Sequence, residues 1–210
     1  MSNPTLVKNL GTIDRLVRAF LAEFCILLAF FWVGRAWQMV LYLLAVVMVF
    51  QAATGVCGFY NLIGRNTCER IKRKDKKLVV VTAVLIVLVA GAGSFSSAIM
   101  TKNILKGDLA SIEVPYNLTL LSTEQDLRNE SISQYEMLNT SLGAFNKKYS
   151  DYEPFAVKFD EKFQGDMTNV STIVKASRQD IFTGLLSDAH ARLAVGKSLL
   201  QSIKKRDSLG

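Results

Sequence analysis

The chain has 210 residues, and its 25 Lys+Arg against 18 Asp+Glu give a formal net charge of +7. The surplus sits in one half: residues 1–100 carry 11 basic and 4 acidic side chains, whereas residues 101–210 carry 14 of each. Apolar residues crowded into that basic half exclude a single soluble core, and positive charge that flanks apolar runs excludes nucleic-acid binding in favour of the lipid bilayer as partner.

The first apolar stretch, Ala19 to Val33, reaches spanning length when the helix is continued back to about Ile13. That gives about 20 residues and about 30 Å, with Thr12 or Asp14 as the cap. Lys8, Arg15 and Arg18 precede it as in a signal peptide, but Phe30-Phe31-Trp32-Val33-Gly34-Arg35 offers no small-x-small cleavage site, so an uncleaved span is expected. A second span runs from Met39 to about Gly58. Only Gly34 to Gln38 separates the two, which predicts a tight antiparallel hairpin with Trp32, Trp37 and Tyr42 as an aromatic belt at its turn.

Arg65 to Lys77 then holds seven basic residues against Glu69 and Asp75. Arg70, Lys72, Arg73, Lys74, Lys76 and Lys77 are expected to contact lipid headgroups. Because positive loops stay in the cytoplasm, the N-terminus should lie inside with this loop. The third span, Leu78 to Met100, would then export everything that follows. Small residues recur four apart near its end, and Gly91, Gly93 and Ser97 are candidates for close helix packing, either against another chain or within the three-helix unit.

Beyond the membrane, Thr101 to Glu113 continues the third helix until Pro115 kinks or ends it. A helix follows from about Asn117 to Tyr149, with its apolar spacing interrupted at Gln125 and Arg128. Ser150-Asp151-Tyr152-Glu153 makes a turn, and Pro154 suits the first position of a last helix reaching Lys205. Gly165, Gly184 and Gly196 could break that helix, although the periodicity favours helix throughout. If Pro115 only kinks the chain, a hairpin about 70 Å long results, with Lys204, Lys205 and Arg206 returning toward the headgroups; if it reverses the chain, a bundle of shorter helices results. The expected fold class is therefore all-α: a membrane protein with three transmembrane helices, a two-helix hairpin plus a third span, and an extracytoplasmic long helical hairpin or small helical bundle.

The segments Asn9-Leu10-Gly11-Thr12-Ile13-Asp14-Arg15 and Gly55-Val56-Cys57-Gly58-Phe59-Tyr60-Asn61-Leu62-Ile63-Gly64-Arg65-Asn66-Thr67-Cys68 bracket the first two spans. Over about residues 6 to 70 the chain resembles the YgaP-like transmembrane domain family, a bacterial two-helix inner-membrane module. The resemblance implies a bacterial inner-membrane location. That family occurs alone or fused to rhodanese sulfurtransferase domains, which implies a link to sulfur or thiol handling. The family commonly has Pro after the first cysteine, where this chain has Gly58, and no rhodanese domain follows. The expected division is a module over 1–70, a basic loop and third span over 71–100, and an exported helical domain over 101–210.

Three features could carry chemistry. Cys57 and Cys68 lie too far apart in sequence for a CxxC site, but Arg65 and Arg70 would favour a thiolate at Cys68. Cys25 lies mid-span and reads as packing. Glu23 is the acidic residue within an apolar span, a placement that marks an ion or proton path or a carboxylate reaching back to the interface. His190, the only histidine, has no companion at metal-ligand spacing. No metal or other cofactor is expected, and the four Asn-x-Ser/Thr sequons at Asn117, Asn129, Asn139 and Asn169 read as ordinary polar helix positions. The function expected is that of a non-enzymatic accessory or scaffold subunit, whose exported domain contacts other membrane or envelope proteins or a second copy. The alternative is thiol handling through Cys57 and Cys68.

Overall fold

The computed structural model describes residues 8–64, 67 and 76–209. Among them every regular element is a helix: α1 (Thr12–Phe31), α2 (Arg35–Thr54), α3 (Gly58–Ile63), α4 (Lys76–Glu124), α5 (Arg128–Tyr149), α6 (Phe163–Thr183) and α7 (Leu186–Arg206). The chain divides into two compact units, Met1–Ser97 and Ala98–Gly210.

In the first unit α1 and α2 form the expected antiparallel hairpin. Small residues allow the approach: Ala22 and Ala29 on α1 and Ala45 on α2 are buried. The turn is shorter than expected, because Gly34 caps α2 and the Gln38 N–H already donates to the Gly34 carbonyl, at 3.0 Å. The start of α1 also differs. Gly11, not Thr12 or Asp14, holds the N-cap position, and no side chain caps that helix. Crowding explains the glycine there, since a Cβ on Gly11 would lie 2.7 Å from the Thr67 carbonyl oxygen. At the other end α2 stops at Thr54, four residues before Gly58, because Gly55 turns left-handed with φ +73° and returns its N–H to Gln51.

The outward face of this hairpin is apolar, with Leu43, Val46 and Phe50 each more than 60 % exposed. Among the described residues two helices, Arg35–Thr54 and the Lys77–Glu124 stretch of α4, are long and apolar enough to cross a bilayer. Helix α1 matches α2 in length at 20 residues but carries Asp14, Arg15, Arg18 and Glu23.

The second unit is a compact bundle rather than a long hairpin. Its helices are the C-terminal half of α4 and all of α5, α6 and α7. Buried positions alternate by fours and threes on three of them: Ser131, Tyr135, Leu138, Leu142, Phe145 and Tyr149 on α5; Phe163, Met167, Val170, Val174, Ser177 and Ile181 on α6; Leu186, Ala189, Leu193, Gly196, Leu200 and Ile203 on α7. Leu105, Leu109, Ile112, Tyr116 and Leu120 supply the α4 side. This spacing is that of antiparallel bundles with coiled-coil packing. Cross-links confirm the up-down-up-down order, because Ser131 meets Ser122, Arg128 meets the Phe182 carbonyl, Arg192 meets Asp180 and Lys204 meets Glu113.

The turn after Tyr149 and a stop at Gly184 fall at expected positions, but Pro115 does not end its helix. Pro115 lies inside α4, which continues to Glu124. The carbonyl that loses its helical donor belongs to Ser111, which is exposed to solvent, while the residues flanking the proline, Ile112, Tyr116 and Leu120, are buried in the core. The reversal comes instead at Asp126, whose φ of 58° is left-handed. There the Leu127 N–H reaches the Ser122 carbonyl at 2.9 Å and the Asp126 N–H reaches Thr123, a Schellman closure. Gly184 closes α6 in the same way, with φ 87°. The segment after Pro154 forms turns, and α6 begins only at Phe163.

Candidate functional site

The residues that bracket the first two spans converge at the end of α2. Asn9 is 3 % exposed, and its side chain grips the Cys57 backbone from both sides: Nδ2 donates to the Cys57 carbonyl at 2.8 Å, and Oδ1 accepts the Cys57 N–H at 2.7 Å. The Asn9 and Leu10 N–H groups both donate to the Gly55 carbonyl, while the Thr67 N–H donates to the Asn9 carbonyl. Arg15 completes the clasp. Its guanidinium donates to the Ala52 and Ala53 carbonyls, at 2.5 and 2.8 Å, placing positive charge where the α2 dipole is negative. Arg18 donates to Gln51 and lies over the Tyr60 ring, 5.3 Å from its centroid.

Cys57 is thus held by its backbone, and its side chain is 1 % exposed. Cys25 is half-buried on α1. Cys68, Arg70, Lys72, Arg73 and Lys74 lie outside the described residues, as does the side chain of Lys76; Lys77 is exposed.

Glu23 occupies the middle of α1. Both of its carboxylate oxygens are shielded from the surface, and no hydrogen-bond partner faces them among the described residues. The small-residue candidates separate. Gly93 faces α1, where an added Cβ would sit 3.0 Å from the Leu27 Cδ1, and Ser97 accepts the Trp32 indole N–H at 3.1 Å. Gly91 is open, with nothing within 4 Å of an added Cβ. Gly93 and Ser97 thus both lie against α1 within the unit.

In the bundle, His190 Nδ1 lies 3.1 Å from the Leu120 carbonyl oxygen and 3.3 Å from the Thr123 hydroxyl, along a shallow groove shared with Asn117, Glu124 and Lys197. Among the described residues no group of three His, Cys, Asp or Glu side chains could hold a metal ion. An ionic cluster at the end of α7 was not foreseen. Arg206 bridges Asp160 at 2.6 Å and Asp166 at 2.9 Å. Burial, with the Asp160 charge beside it, pushes the neighbouring Asp207 carboxyl up to about 6. The sequence signal was present in the acidic Asp160–Glu161 pair and the basic end of the last helix, but their juxtaposition depends on the bundle's closure.

No curated protein and no solved structure matches the chain. Residues 6–70, the stretch whose ends form the clasp, match the family described as inner membrane protein YgaP-like, transmembrane domain, and the protein is accordingly a membrane protein.

Proposed function

We propose that the chain is a non-enzymatic accessory or scaffold subunit of the bacterial inner membrane, in which α1, α2 and the first half of α4 span the bilayer and the bundle of the second unit makes protein contacts. The N-terminus and the basic loop would be cytoplasmic and the bundle extracytoplasmic, following the charge of residues 65–77. The observation that carries the interaction is the outer face of α4 within the bundle. Val114 is 61 % exposed, and Leu118 and Leu121 beside it are more than 40 % exposed, although the bundle's own core is complete without them. A row of exposed apolar side chains on a polar domain favours a partner.

The test is a pull-down from native membranes in mild detergent through a C-terminal tag, with the eluted proteins identified by mass spectrometry. A reproducible assembly containing other membrane or envelope proteins is expected. Recovery of this chain without them, even after crosslinking in the membrane, would overturn the accessory-subunit reading. Thiol handling through Cys57 and Cys68 has weaker support, since a reactive thiolate needs access and the Cys57 side chain is buried. Loss of phenotype on replacing both cysteines by Ser would restore it.

A further inference from the structure

We infer that the outer face of α4 in the second unit pairs, in parallel, with the same face of a second copy of this chain. This rests on the reading of the protein as a membrane-anchored interaction subunit and names the partner of that surface. The face comprises Ile104, Gly107, Ser111, Val114, Leu118 and Leu121, all exposed. Their separations alternate three and four, the 3.5-residue repeat that two helices winding around each other require. Helix α4 thus carries two such seams: one inward, through Leu105, Leu109, Ile112 and Tyr116, which the bundle fills, and one outward, which this chain leaves uncovered.

Three observations favour a second copy. The first is charge. The exposed positions between Asn103 and Leu121 on α4 carry no charged side chain, whereas the exposed faces of the other three helices carry Glu130, Glu136 and Lys147 on α5, Lys175 and Arg178 on α6, and Asp188 and Arg192 on α7. A neutral apolar seam is complementary to itself and repels no copy of itself. The second is Gly107. An added Cβ there would meet nothing within 4 Å, so the bundle does not need a glycine, which weakens a helix by about 1 kcal/mol relative to Ala. A helix backbone approaching from another molecule does gain from it.

The third is size. The seam is about 26 Å long and about 10 Å wide, so a pair would bury roughly 600 Å², about half of what a free complex needs. A soluble partner would gain too little from it. Two copies held in one bilayer, with the same orientation and depth, meet at a raised effective concentration, and a two-fold axis along the membrane normal sets Val114 beside Val114.

The experiment is disulfide crosslinking of the full chain in native membranes. The wild-type chain, whose cysteines all precede residue 70, serves as the background. Val114→Cys and Leu121→Cys are expected to give a covalent dimer on mild oxidation, at least tenfold above Lys175→Cys on the outer face of α6. Adding Leu118→Glu to Val114→Cys should abolish the dimer while leaving the bundle's melting temperature unchanged. Equal crosslinking at positions 114 and 175, a crosslink indifferent to Leu118→Glu, or an adduct of Val114→Cys with a different protein would overturn the inference. Foreign proteins in the pull-down without a Val114→Cys dimer would leave the accessory-subunit reading standing and remove only the self-pairing. A dimer without foreign proteins would do the reverse.

Discussion

At Gly196 two rules of thumb oppose each other, and the magnitudes decide between them. Replacing a glycine within a helix by Ala is worth about 1 kcal/mol in propensity. Here, however, the added Cβ would lie 2.3 Å from the Tyr116 hydroxyl and 3.2 Å from Ile173 Cγ2, while that hydroxyl donates to the Leu193 carbonyl at 2.7 Å. Overpacking wins: Gly196→Ala is expected to destabilise the chain by about 2 kcal/mol. Tyr116→Phe alone should cost about 1 kcal/mol for the lost hydrogen bond. Because it also removes the oxygen the new methyl group strikes, the double variant should cost about 1 kcal/mol less than the sum; additive losses in denaturant melts would show that the two side chains do not compete. A second residue-scale prediction concerns Asp207, held at about 6 first by burial and then by the Asp160 charge, with Asp166 and Arg206 also facing it. In the unfolded chain its pKa is about 3.9, so the folded state binds the proton more tightly. That contribution is complete below about pH 4 and is lost as the pH rises through about 6. Its size, discounted for partial exposure, is on the order of 1 kcal/mol, or about 4 °C in melting temperature. The bundle should therefore melt higher at pH 5 than at pH 7.5, and Asp207→Asn should flatten that dependence. An undiminished slope in the variant would assign it to other groups.

At the scale of elements, two of the bundle's three reversals are closed by one device with different residues, and that difference has a consequence. Gly184 ends α6 in the left-handed conformation at no steric cost, whereas Asp126 adopts φ 58° between α4 and α5 with a Cβ. Asp126→Gly is expected to stabilise the bundle by about 1 kcal/mol, and Gly184→Ala to destabilise it by about as much. A loss of stability in Asp126→Gly would mean that the aspartate side chain makes a contact worth more than the strain. The same pair shows what was legible in the sequence. The apolar fours and threes of α5, α6 and α7 were readable, because helix packing imposes them on side chains directly. The turn at Asp126 was visible only as an interruption at Gln125 and Arg128, since any of several polar residues could have taken the left-handed position. Of the two outcomes open at Pro115, a kink or an end, the end does not occur: the local cost of about 3 kcal/mol is offset by tertiary burial of Ile112, Tyr116 and Leu120 around it, which no local signal reports. The clasp was half legible. The motif residues stood out, but the grip of Asn9 on the Cys57 backbone pairs positions 48 apart, and only the closed hairpin brings them together.

At the scale of the whole molecule, one helix, α1, decides whether the N-terminus lies on the same side of the membrane as the bundle. Helix α2 and the first half of α4 qualify as spans on apolar content alone; with those two only, the N-terminus and the bundle would share a side. Three spans put them on opposite sides. What favours α1 as a third span is that its charges are accommodated near one end. Arg15 binds the last carbonyls of α2 and Arg18 binds Gln51 and the Tyr60 ring, so both guanidinia are served at the end where α2 leaves the bilayer. Only Glu23 lies deeper, and one carboxyl that can protonate or reach the interface is tolerable in a span of about 30 Å. In the proposed three-span topology, pairing along α2 carries the rest of α1 across. The expected outcome is that a membrane-impermeant maleimide labels Ser198→Cys, on the exposed face of α7, in spheroplasts with an intact inner membrane, while Lys77→Cys, beside the basic loop, is labelled only after lysis. The reverse pattern, with Ser198→Cys protected until lysis and Lys77→Cys labelled before it, would invert the whole assignment. Protection of both positions until lysis would mean that α4 does not cross, because its first half lies between residue 77 and the bundle. Lys8→Cys, ahead of α1, reports on α1 itself: protection until lysis is expected for three spans, and labelling in intact spheroplasts would mean that α2 and α4 alone cross.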